Sequence, residues 1–332
     1  MRVLVTGSAG FIGYHLCELL LAEGAEVIGL DAHDAYYDPA LKEAREARLR
    51  ARPGFTPIRA RVEDAGVLAG LFASHKPDIV VHLAAQAGVR YSIENPRAYL
   101  ESNLIGTFEL LEAARAHPPR HLLLASTSSA YGANTEMPYR ETDKADAQMS
   151  FYAATKKSTE AMAHSYAHLF HLPVTMFRFF TVYGPWGRPD MAPWLFTSAI
   201  MAGQPIKVFN HGDMRRDFTY VTDLVRAIRL LMDAAPERGA PVGPADSLSP
   251  VAPFRVVNIG NGAPVELLDF IAAIEAATGK PAIKQMLPMQ PGDVPATWAD
   301  TALLSRLTGY APQTPVQKGV AEYVDWFRSY YL

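Results

Sequence analysis

The sequence has little cysteine, no long apolar run and no excess of one charge, and each absence excludes a class of protein. Its single cysteine, Cys17, has no partner in the chain, which excludes a disulfide scaffold and indicates a reducing compartment. No apolar segment reaches the ~18 residues that cross a bilayer, so we expect no membrane association and a cytoplasmic location. The 31 basic and 34 acidic residues form no long run of one sign, so we expect no nucleic-acid partner.

What is present is a regular alternation of short apolar segments with helical sequence. With 332 residues, 49% of them hydrophobic, the chain is long enough for one large domain or two smaller ones. The predicted strands are residues 3–6, 27–30, 56–60, 78–83, 121–125 and 174–179. This alternation predicts an α/β fold with a doubly wound parallel (Rossmann) sheet, whose ligands bind at the carboxyl ends of the strands.

A glycine-rich turn follows the first predicted strand. Gly7, Gly10 and Gly13 lead into an apolar helix, and glycine there permits a tight turn and a close approach of backbone N–H groups to a pyrophosphate. The second strand ends in Asp31, whose carboxylate can accept hydrogen bonds from an adenosine ribose and would repel a 2′-phosphate. The pattern therefore predicts NAD in preference to NADP.

A tyrosine and a lysine lie one helical turn apart, at Tyr152 and Lys156. Residues at this spacing share a helix face. A free tyrosine has a pKa near 10, and a neighbouring cation lowers it by favouring the phenolate. The pair could therefore remove a proton from a sugar hydroxyl, although the same spacing is also found on solvated helix faces.

The composition changes after residue 180, where a Gly- and Pro-rich loop begins. We predict a cofactor-binding domain over residues 1–180, to which residues 219–262 return. A smaller, mostly C-terminal region over residues 181–218 and 263–332 would bind the substrate. The segment 235–253 is expected to be a mobile loop because it has little apolar content, and two short helices are expected to end the chain.

Five motifs together resemble the extended short-chain dehydrogenase/reductases that act on nucleotide sugars. They are Gly7-x-x-Gly10-x-x-Gly13, Tyr131-Gly132, Tyr152-x-x-x-Lys156, and residues 178–185 and 216–223. Within that family, residues 87–92, 186–191 and 289–294 are most similar to bacterial UDP-glucuronic acid 4-epimerases. The resemblance implies NAD as cofactor and a UDP-sugar as substrate.

The resemblance also assigns roles by position. It implies catalysis by Thr127, Tyr152 and Lys156, with Tyr152 as the base. The NAD contacts that it implies are Gly7, Gly10, Phe11, Ile12, Gly13, Asp31, Val62, Leu83, Ala84, Ala85, Tyr152 and Lys156. The substrate contacts that it implies are Ser128, Ser129, Thr181, Arg188, Arg216 and Asp293. Many relatives have an acid that meets adenine where this chain has Arg61, so that contact stays open.

The shared first step of this family, oxidation at C4 of the sugar, leaves several reactions open. A 4,6-dehydratase needs acidic groups beside the catalytic hydroxyl, whereas Ser128 and Ser129 follow Thr127, so dehydration is disfavoured. We predict epimerisation of UDP-glucuronic acid to UDP-galacturonic acid through a transient 4-keto sugar. UDP-glucuronate decarboxylase, UDP-glucose/galactose 4-epimerase and a catalytically silent NAD-binding sensor are the alternatives.

A bidentate Arg188 and the hydroxyls of Ser128, Ser129 and Thr181 could hold the sugar carboxylate where loss of carbon dioxide is slow. A surface ion pair between Arg188 and Asp190 is the competing interpretation. Three histidines at helical spacing, His164, His168 and His171, could suggest a metal, but no carboxylate lies between the first two, and we predict no metal.

Two predicted helices have broad apolar faces. The residues on them are Leu104, Phe108, Leu111, Met162, Tyr166 and Leu169. The resemblance implies a homodimer in which these helices pair with their mates in a four-helix bundle. Packing within one chain is the alternative.

Overall fold

The computed structural model describes residues 1–290 and 294–332. Its strands are β1 (Arg2–Thr6), β2 (Glu26–Asp31), β3 (Phe55–Arg59), β4 (Ile79–His82), β5 (His121–Ala125), β6 (Val174–Phe179), β7 (Thr181–Tyr183), β8 (Pro205–Val208), β9 (Arg215–Tyr220), β10 (Phe254–Ile259), β11 (Pro264–Glu266), β12 (Ile283–Met286) and β13 (Ala296–Thr297). Its helices are α1 (Phe11–Ala22), α2 (Pro39–Arg50), α3 (Val67–His75), α4 (Tyr91–Glu94), α5 (Pro96–Tyr99), α6 (Gly106–Ala116), α7 (Phe151–Phe170), α8 (Ala192–Met201), α9 (Val221–Leu231), α10 (Leu267–Thr278), α11 (Ala302–Thr308) and α12 (Val316–Tyr331).

A seven-stranded sheet in the order β10-β6-β5-β4-β1-β2-β3 forms the larger half, and all its neighbouring strands are parallel. The predicted Rossmann sheet is confirmed. The strand order reverses between β1 and β4, and this reversal opens a crevice at the carboxyl ends of the strands.

Helices cover both faces of the large sheet, which explains why its central strands are almost entirely apolar. On one face α1 and α9 bury residues such as Leu16, Cys17 and Ile228. On the other, α3, α6 and α7 bury residues such as Phe72 and Leu111. The two cores hold the strand ends at fixed positions, and the site depends on those positions.

The smaller half has its own sheet and core. Strand β9 pairs with β7, β11 and β13, and β8 pairs with β12. Helices α8, α10 and α12 pack over Tyr183 and over Phe218, whose ring stacks on Phe270 at 4.0 Å. The expectation of two short terminal helices was wrong for α12, which has 16 residues. One face of α12 is buried in this core.

The segment 235–253 is tied down at its C-terminal end, contrary to the expectation of mobility. Asp246 accepts two hydrogen bonds from Arg255, at 2.8 and 2.9 Å, and both side chains are buried. The Ser247 hydroxyl accepts a hydrogen bond from the Val256 N–H group at 3.1 Å. The segment therefore follows the edge strand β10.

The helices with predicted apolar faces divide into buried and exposed parts. Leu111 is fully buried in the core of its own chain, and Met162 and Tyr166 pack against that core. For Leu111 the structure therefore shows the alternative, packing within one chain. Phe108 and Leu169 are 45% and 63% exposed. Across the described residues, no helix has the length and hydropathy of a membrane span.

Candidate active site

A cavity of about 650 Å³ lies at the carboxyl ends of the central strands. The predicted site residues that line it are Gly7, Gly10, Phe11, Ile12, Gly13, Asp31, Val62, Leu83, Ala84, Ala85, Thr127, Ser128, Ser129, Tyr152, Lys156, Thr181 and Arg188. Arg216 lies elsewhere, where its guanidinium donates to the carbonyls of Val294 and Pro295 at 2.7 and 3.1 Å. Asp293 lies outside the described residues.

The glycine-rich turn has no room for side chains. A Cβ atom on Gly7 would come within 2.8 Å of the Ala84 nitrogen, and one on Gly13 within 2.0 Å of the Gly7 carbonyl oxygen. No side chain of the described residues caps the N-terminus of α1, so its first N–H groups are available to an anion. This cradle fits the pyrophosphate of a dinucleotide.

Asp31 is fixed at the end of β2 by two backbone donors. Its carboxylate accepts hydrogen bonds from the N–H groups of Ala9 at 3.0 Å and His33 at 2.8 Å. His33 is in turn held by Glu46 at 2.8 Å. Each carboxylate oxygen keeps a further lone pair, so Asp31 can still accept hydrogen bonds from a ribose diol, as predicted for NAD.

Thr127 and Tyr152 meet across the cavity from the glycine turn. Thr127 ends the segment after β5, and its hydroxyl accepts a hydrogen bond from the Ser129 N–H group at 3.2 Å. Tyr152 lies in the first turn of α7, which is capped by the Ser150 hydroxyl. The Thr127 hydroxyl is near enough to the Tyr152 phenol to oppose the rise in its pKa. The site thus places a general-base candidate beside a hydroxyl partner.

The pKa of Tyr152 departs from the predicted direction. Burial raises it, and the opposing effects of the Thr127 hydrogen bond and the Arg188 charge do not cancel the increase. The prediction of a lowered pKa was therefore wrong for the protein alone. The Lys156 ammonium donates instead to the Ala125 carbonyl oxygen, at 2.8 Å.

Lys156 is a buried amine with a weakened proton affinity. Its side chain is 5% exposed, and burial lowers its pKa from 10.5 to about 8, against the opposing charge of Glu160. At neutral pH it is still a cation. Because its side chain lines the cavity, this cation can stabilise a nearby anion.

A buried ion-pair network, which sequence reasoning missed, anchors α7 to the sheet. Glu160 accepts hydrogen bonds from Arg178 at 2.9 and 2.8 Å, from Ser126 at 2.6 Å and from Lys157 at 2.9 Å. Burial opposes ionisation of Glu160, but these partners, Arg178 first, hold its pKa at about 2. Glu160 follows Lys156 by one helical turn, and that spacing was the available signal.

Arg188 forms the ion pair with Asp190 that was the competing interpretation, and it does so at the cavity. It lines the cavity, and it donates from Nε and Nη2 to the two carboxylate oxygens of Asp190, at 3.0 and 2.5 Å. The Tyr36 hydroxyl donates to Asp190 at 3.1 Å, and the Arg188 guanidinium lies 5.8 Å from the Tyr36 ring centroid. Tyr36 could not be recognised from the sequence, because it lies 152 positions before Arg188 in the chain.

The cation at Arg61 is neutralised by two acids that also line the cavity. Arg61 donates to Asp34 at 2.9 Å and to Glu63 at 2.8 Å. The rim near Val62 therefore keeps acidic groups although the family's acid is absent. Sequence reasoning missed both Asp34 and Glu63.

Comparison with known proteins gives the same family along the whole chain. The model of the "NAD dependent epimerase/dehydratase family" matches residues 3–243. A relative from Rhizobium meliloti named "Probable UDP-glucuronate 4-epimerase" is 53% identical over 100% of this chain and 98% of its own length. The Arabidopsis thaliana protein "UDP-glucuronate 4-epimerase 4" is 44% identical over 100% of this chain and 76% of its own.

A solved structure supports the same assignment. The UDP-glucuronic acid 4-epimerase of Bacillus cereus, in complex with UDP-glucuronic acid and NAD, superposes with a TM-score of 0.89 at 33% identity and covers 100% of both chains. Since the motifs, the sheet, the glycine cradle and these matches agree, the chain belongs to the NAD dependent epimerase/dehydratase family.

Proposed function

We propose that this protein is an isomerase that converts UDP-glucuronic acid to UDP-galacturonic acid by inversion at C4. The observation that carries the proposal is the shared cavity, which brings Arg188 to the same space as Tyr152 and Thr127. Relatives named UDP-glucuronate 4-epimerase, and the solved structure with UDP-glucuronic acid and NAD, support this substrate.

The cradle fits NAD by its own geometry. The N-terminus of α1 and the side-chain-free turn at Gly7 and Gly13 suit a pyrophosphate, and Asp31 suits the adenosine ribose. NAD, when bound, supplies a reversible acceptor for the hydrogen on C4. We propose that Lys156 lies along the same cofactor.

Tyr152 acts as the base in this scheme. It takes the proton from O4 while the C4–H bond breaks, so that the C4–O4 bond becomes a carbonyl. Because burial raises its pKa, the phenolate needs support from the Lys156 cation and the Thr127 hydroxyl. Once the keto sugar has turned over, hydrogen returns to the other face of C4 and Tyr152 returns the proton to O4.

Arg188 is assigned to the sugar carboxylate. Its two donors already hold the Asp190 carboxylate, so a substrate carboxylate would take the place of Asp190 on the same planar fork. We propose that Ser128, Ser129 and Thr181 add hydroxyl donors. A carboxylate held in this way stays out of the perpendicular geometry in which a β-keto acid loses carbon dioxide.

The alternatives are less well supported. A decarboxylase or a silent NAD-binding sensor is not favoured, because the full-length relatives are named as 4-epimerases. A preference for UDP-glucose would give Arg188 no substrate carboxylate and leave it paired with Asp190.

Residues 1–180 and 219–262 would bind NAD, and residues 181–218 and 263–332 the UDP-sugar. The return of the chain to the large sheet through β10 supports this division. We propose that Arg216 and Asp293 bind the nucleotide, as the family resemblance implies; in the described residues Arg216 holds the carbonyl oxygens of Val294 and Pro295. The single buried cysteine is consistent with a cytoplasmic location.

We further propose a homodimer through α6, α7 and their mates in a second copy. The apolar side chains left exposed on α6, on α7 and just before α6 are Leu100, Ile105, Phe108, Phe151, Leu169 and Phe170. Exposed large apolar side chains on two neighbouring helices suit an interface. Sedimentation of the wild type should give a dimer, and F108E with L169E should give a folded monomer. A monomeric wild type would contradict the proposal.

The function is tested by incubating the purified protein separately with UDP-glucuronic acid, UDP-glucose and UDP-xylose, without added NAD, and separating the products. We expect UDP-galacturonic acid from the first and far slower change of the others, and no product from Y152F. A UDP-pentose would favour decarboxylation, whereas bound NAD without turnover of any UDP-sugar would favour the sensor.

A further inference from the structure

We propose that Arg45 is a positioning residue that ties the glycine-rich turn of the cofactor cradle to the loop carrying Arg188. The inference rests on the proposed function only where it takes the sugar carboxylate as the group that Arg188 binds. Neither the motifs nor the comparisons assign Arg45 a role. Through this link, the position of the Arg188 guanidinium would depend on the position of the glycine-rich turn.

Arg45 is a fully buried cation on α2 that bridges two distant parts of the chain. Its Nη1 donates to the Ala9 carbonyl oxygen at 3.0 Å and to the Tyr37 hydroxyl at 2.9 Å. Its Nη2 donates to the carbonyl oxygens of Trp186 at 2.6 Å and Gly187 at 3.5 Å. Ala9 belongs to the glycine turn, and Gly187 directly precedes Arg188.

The acceptors of Arg45 are all neutral. Among the described residues its guanidinium donates to carbonyl oxygens and a phenol, and no carboxylate there forms an ion pair with it. Burying a cation without an anion is costly. Only the planar fork of an arginine can reach two separate carbonyls in this way, so the arrangement indicates a specific bridging role.

The loop that Arg45 holds is strained at Trp186. Trp186 has a φ of +60°, in the left-handed region that is unfavourable for a bulky residue. Its ring packs against Tyr14 at 5.6 Å, Trp326 at 5.5 Å and Tyr330 at 4.9 Å between centroids. The hydrogen bond from Arg45 therefore fixes a carbonyl whose direction the local backbone does not favour.

A second contact from the cofactor half holds the preceding carbonyl. The Nε2 atom of His15, on α1, lies 2.8 Å from the Pro185 carbonyl oxygen. Burial lowers the pKa of His15 to about 4, so the ring is neutral at pH 7 and its Nε2–H group donates to this acceptor. His15 on α1 thus holds the Pro185 carbonyl, and Arg45 on α2 holds the Trp186 carbonyl, both in the loop that leads to Arg188.

The test compares R45M and R45K with the matched control R48M. Arg48 lies over the same Trp186 ring, at 5.4 Å, and bonds to the Tyr14 hydroxyl at 2.9 Å, but its described hydrogen bonds include no loop carbonyl. Amide hydrogen exchange is measured by mass spectrometry on the NAD-loaded proteins, over residues 7–13 and 184–188. Kinetics with UDP-glucuronic acid and the Tm are measured in parallel.

We expect R45M to raise exchange about tenfold in both segments, and to raise KM for UDP-glucuronic acid about tenfold with a smaller change in kcat. R48M should change each value by less than about twofold. R45K should resemble R45M, because an ammonium cannot span both carbonyls. R45K also serves as the test if R45M does not fold.

Increased exchange in only one segment, or equal effects in R45M and R48M, would overturn the inference. An unchanged exchange pattern in both Arg45 variants would do the same. If the wild type proves to act on another UDP-sugar, the proposed function fails while coupled exchange of the two segments would still support the bridge.

Discussion

Lys156 is kept in the folded protein at a cost in stability, and its replacement by methionine should make the protein more stable. Burial lowers its pKa from 10.5 to about 8. The charged amine is therefore less favourable in the folded chain than in the unfolded one, by about 3 kcal/mol at pH 7 for this difference in pKa. Losing the 2.8 Å hydrogen bond to the Ala125 carbonyl oxygen removes about 1 kcal/mol. K156M should gain about 2 kcal/mol net.

The sign of the pH dependence follows from the same pKa. Because the folded pKa of Lys156 lies below the unfolded value, the unfolded wild type binds more protons between pH 8 and 10.5. Wild-type stability attributable to this group therefore rises with pH across that window. At roughly pH 9.5 the penalty falls by about 2 kcal/mol, so the advantage of K156M should nearly vanish.

Urea unfolding of cofactor-free wild type and K156M, at pH 7 and at roughly pH 9.5, measures this difference. K318M is a suitable control, since Lys318 is 69% exposed and its replacement should change stability by less than about 0.5 kcal/mol. K156M should also lose turnover of UDP-glucuronic acid. A K156M variant less stable than wild type at pH 7, or a stability advantage independent of pH, would show that burial of the Lys156 charge carries no such cost.

Three further predictions concern the same site. T127V should lower kcat about 10–100-fold without loss of bound NAD, because it removes the hydroxyl beside Tyr152 and, besides that, only the acceptor of the Ser129 N–H group; an unchanged kcat would contradict that role. R188M should raise KM for UDP-glucuronic acid about 10–100-fold and leave that for UDP-glucose nearly unchanged, and a parallel change for both sugars would exclude a carboxylate clamp. E160Q should cost about 3–5 kcal/mol by leaving Arg178 buried without its anion. Since the folded pKa of Glu160, about 2, lies below its ordinary 4.5, this deficit in unfolding free energy should hold above pH 4.5 and narrow as the pH falls towards 2.

The sequence predicted those features whose signals are local. The glycine turn and Asp31 come from one βαβ unit, and the apolar strands are short runs bounded by turn residues, so their type and order could be derived. The structure places almost all of the predicted site residues around one cavity. Their roles stay predictions until they are measured.

Contacts between distant segments could not be predicted. Arg45 lies 141 positions from Trp186, and nothing in the charged pattern around α2 distinguishes a buried bridging arginine from its solvated neighbours. The pKa of Tyr152 was misjudged for a related reason. Spacing indicates which groups are close, whereas burial, which raised this pKa, depends on the whole fold.

In the proposed reaction, hydrogen leaves C4 and returns to the same carbon while the carboxylate is retained. This is measured by turnover of UDP-glucuronic acid that carries deuterium at C4, followed by NMR of the product. We expect UDP-galacturonic acid that keeps its deuterium at C4 and takes up none from water. Loss of the label to solvent, or a UDP-pentose as the product, would contradict it.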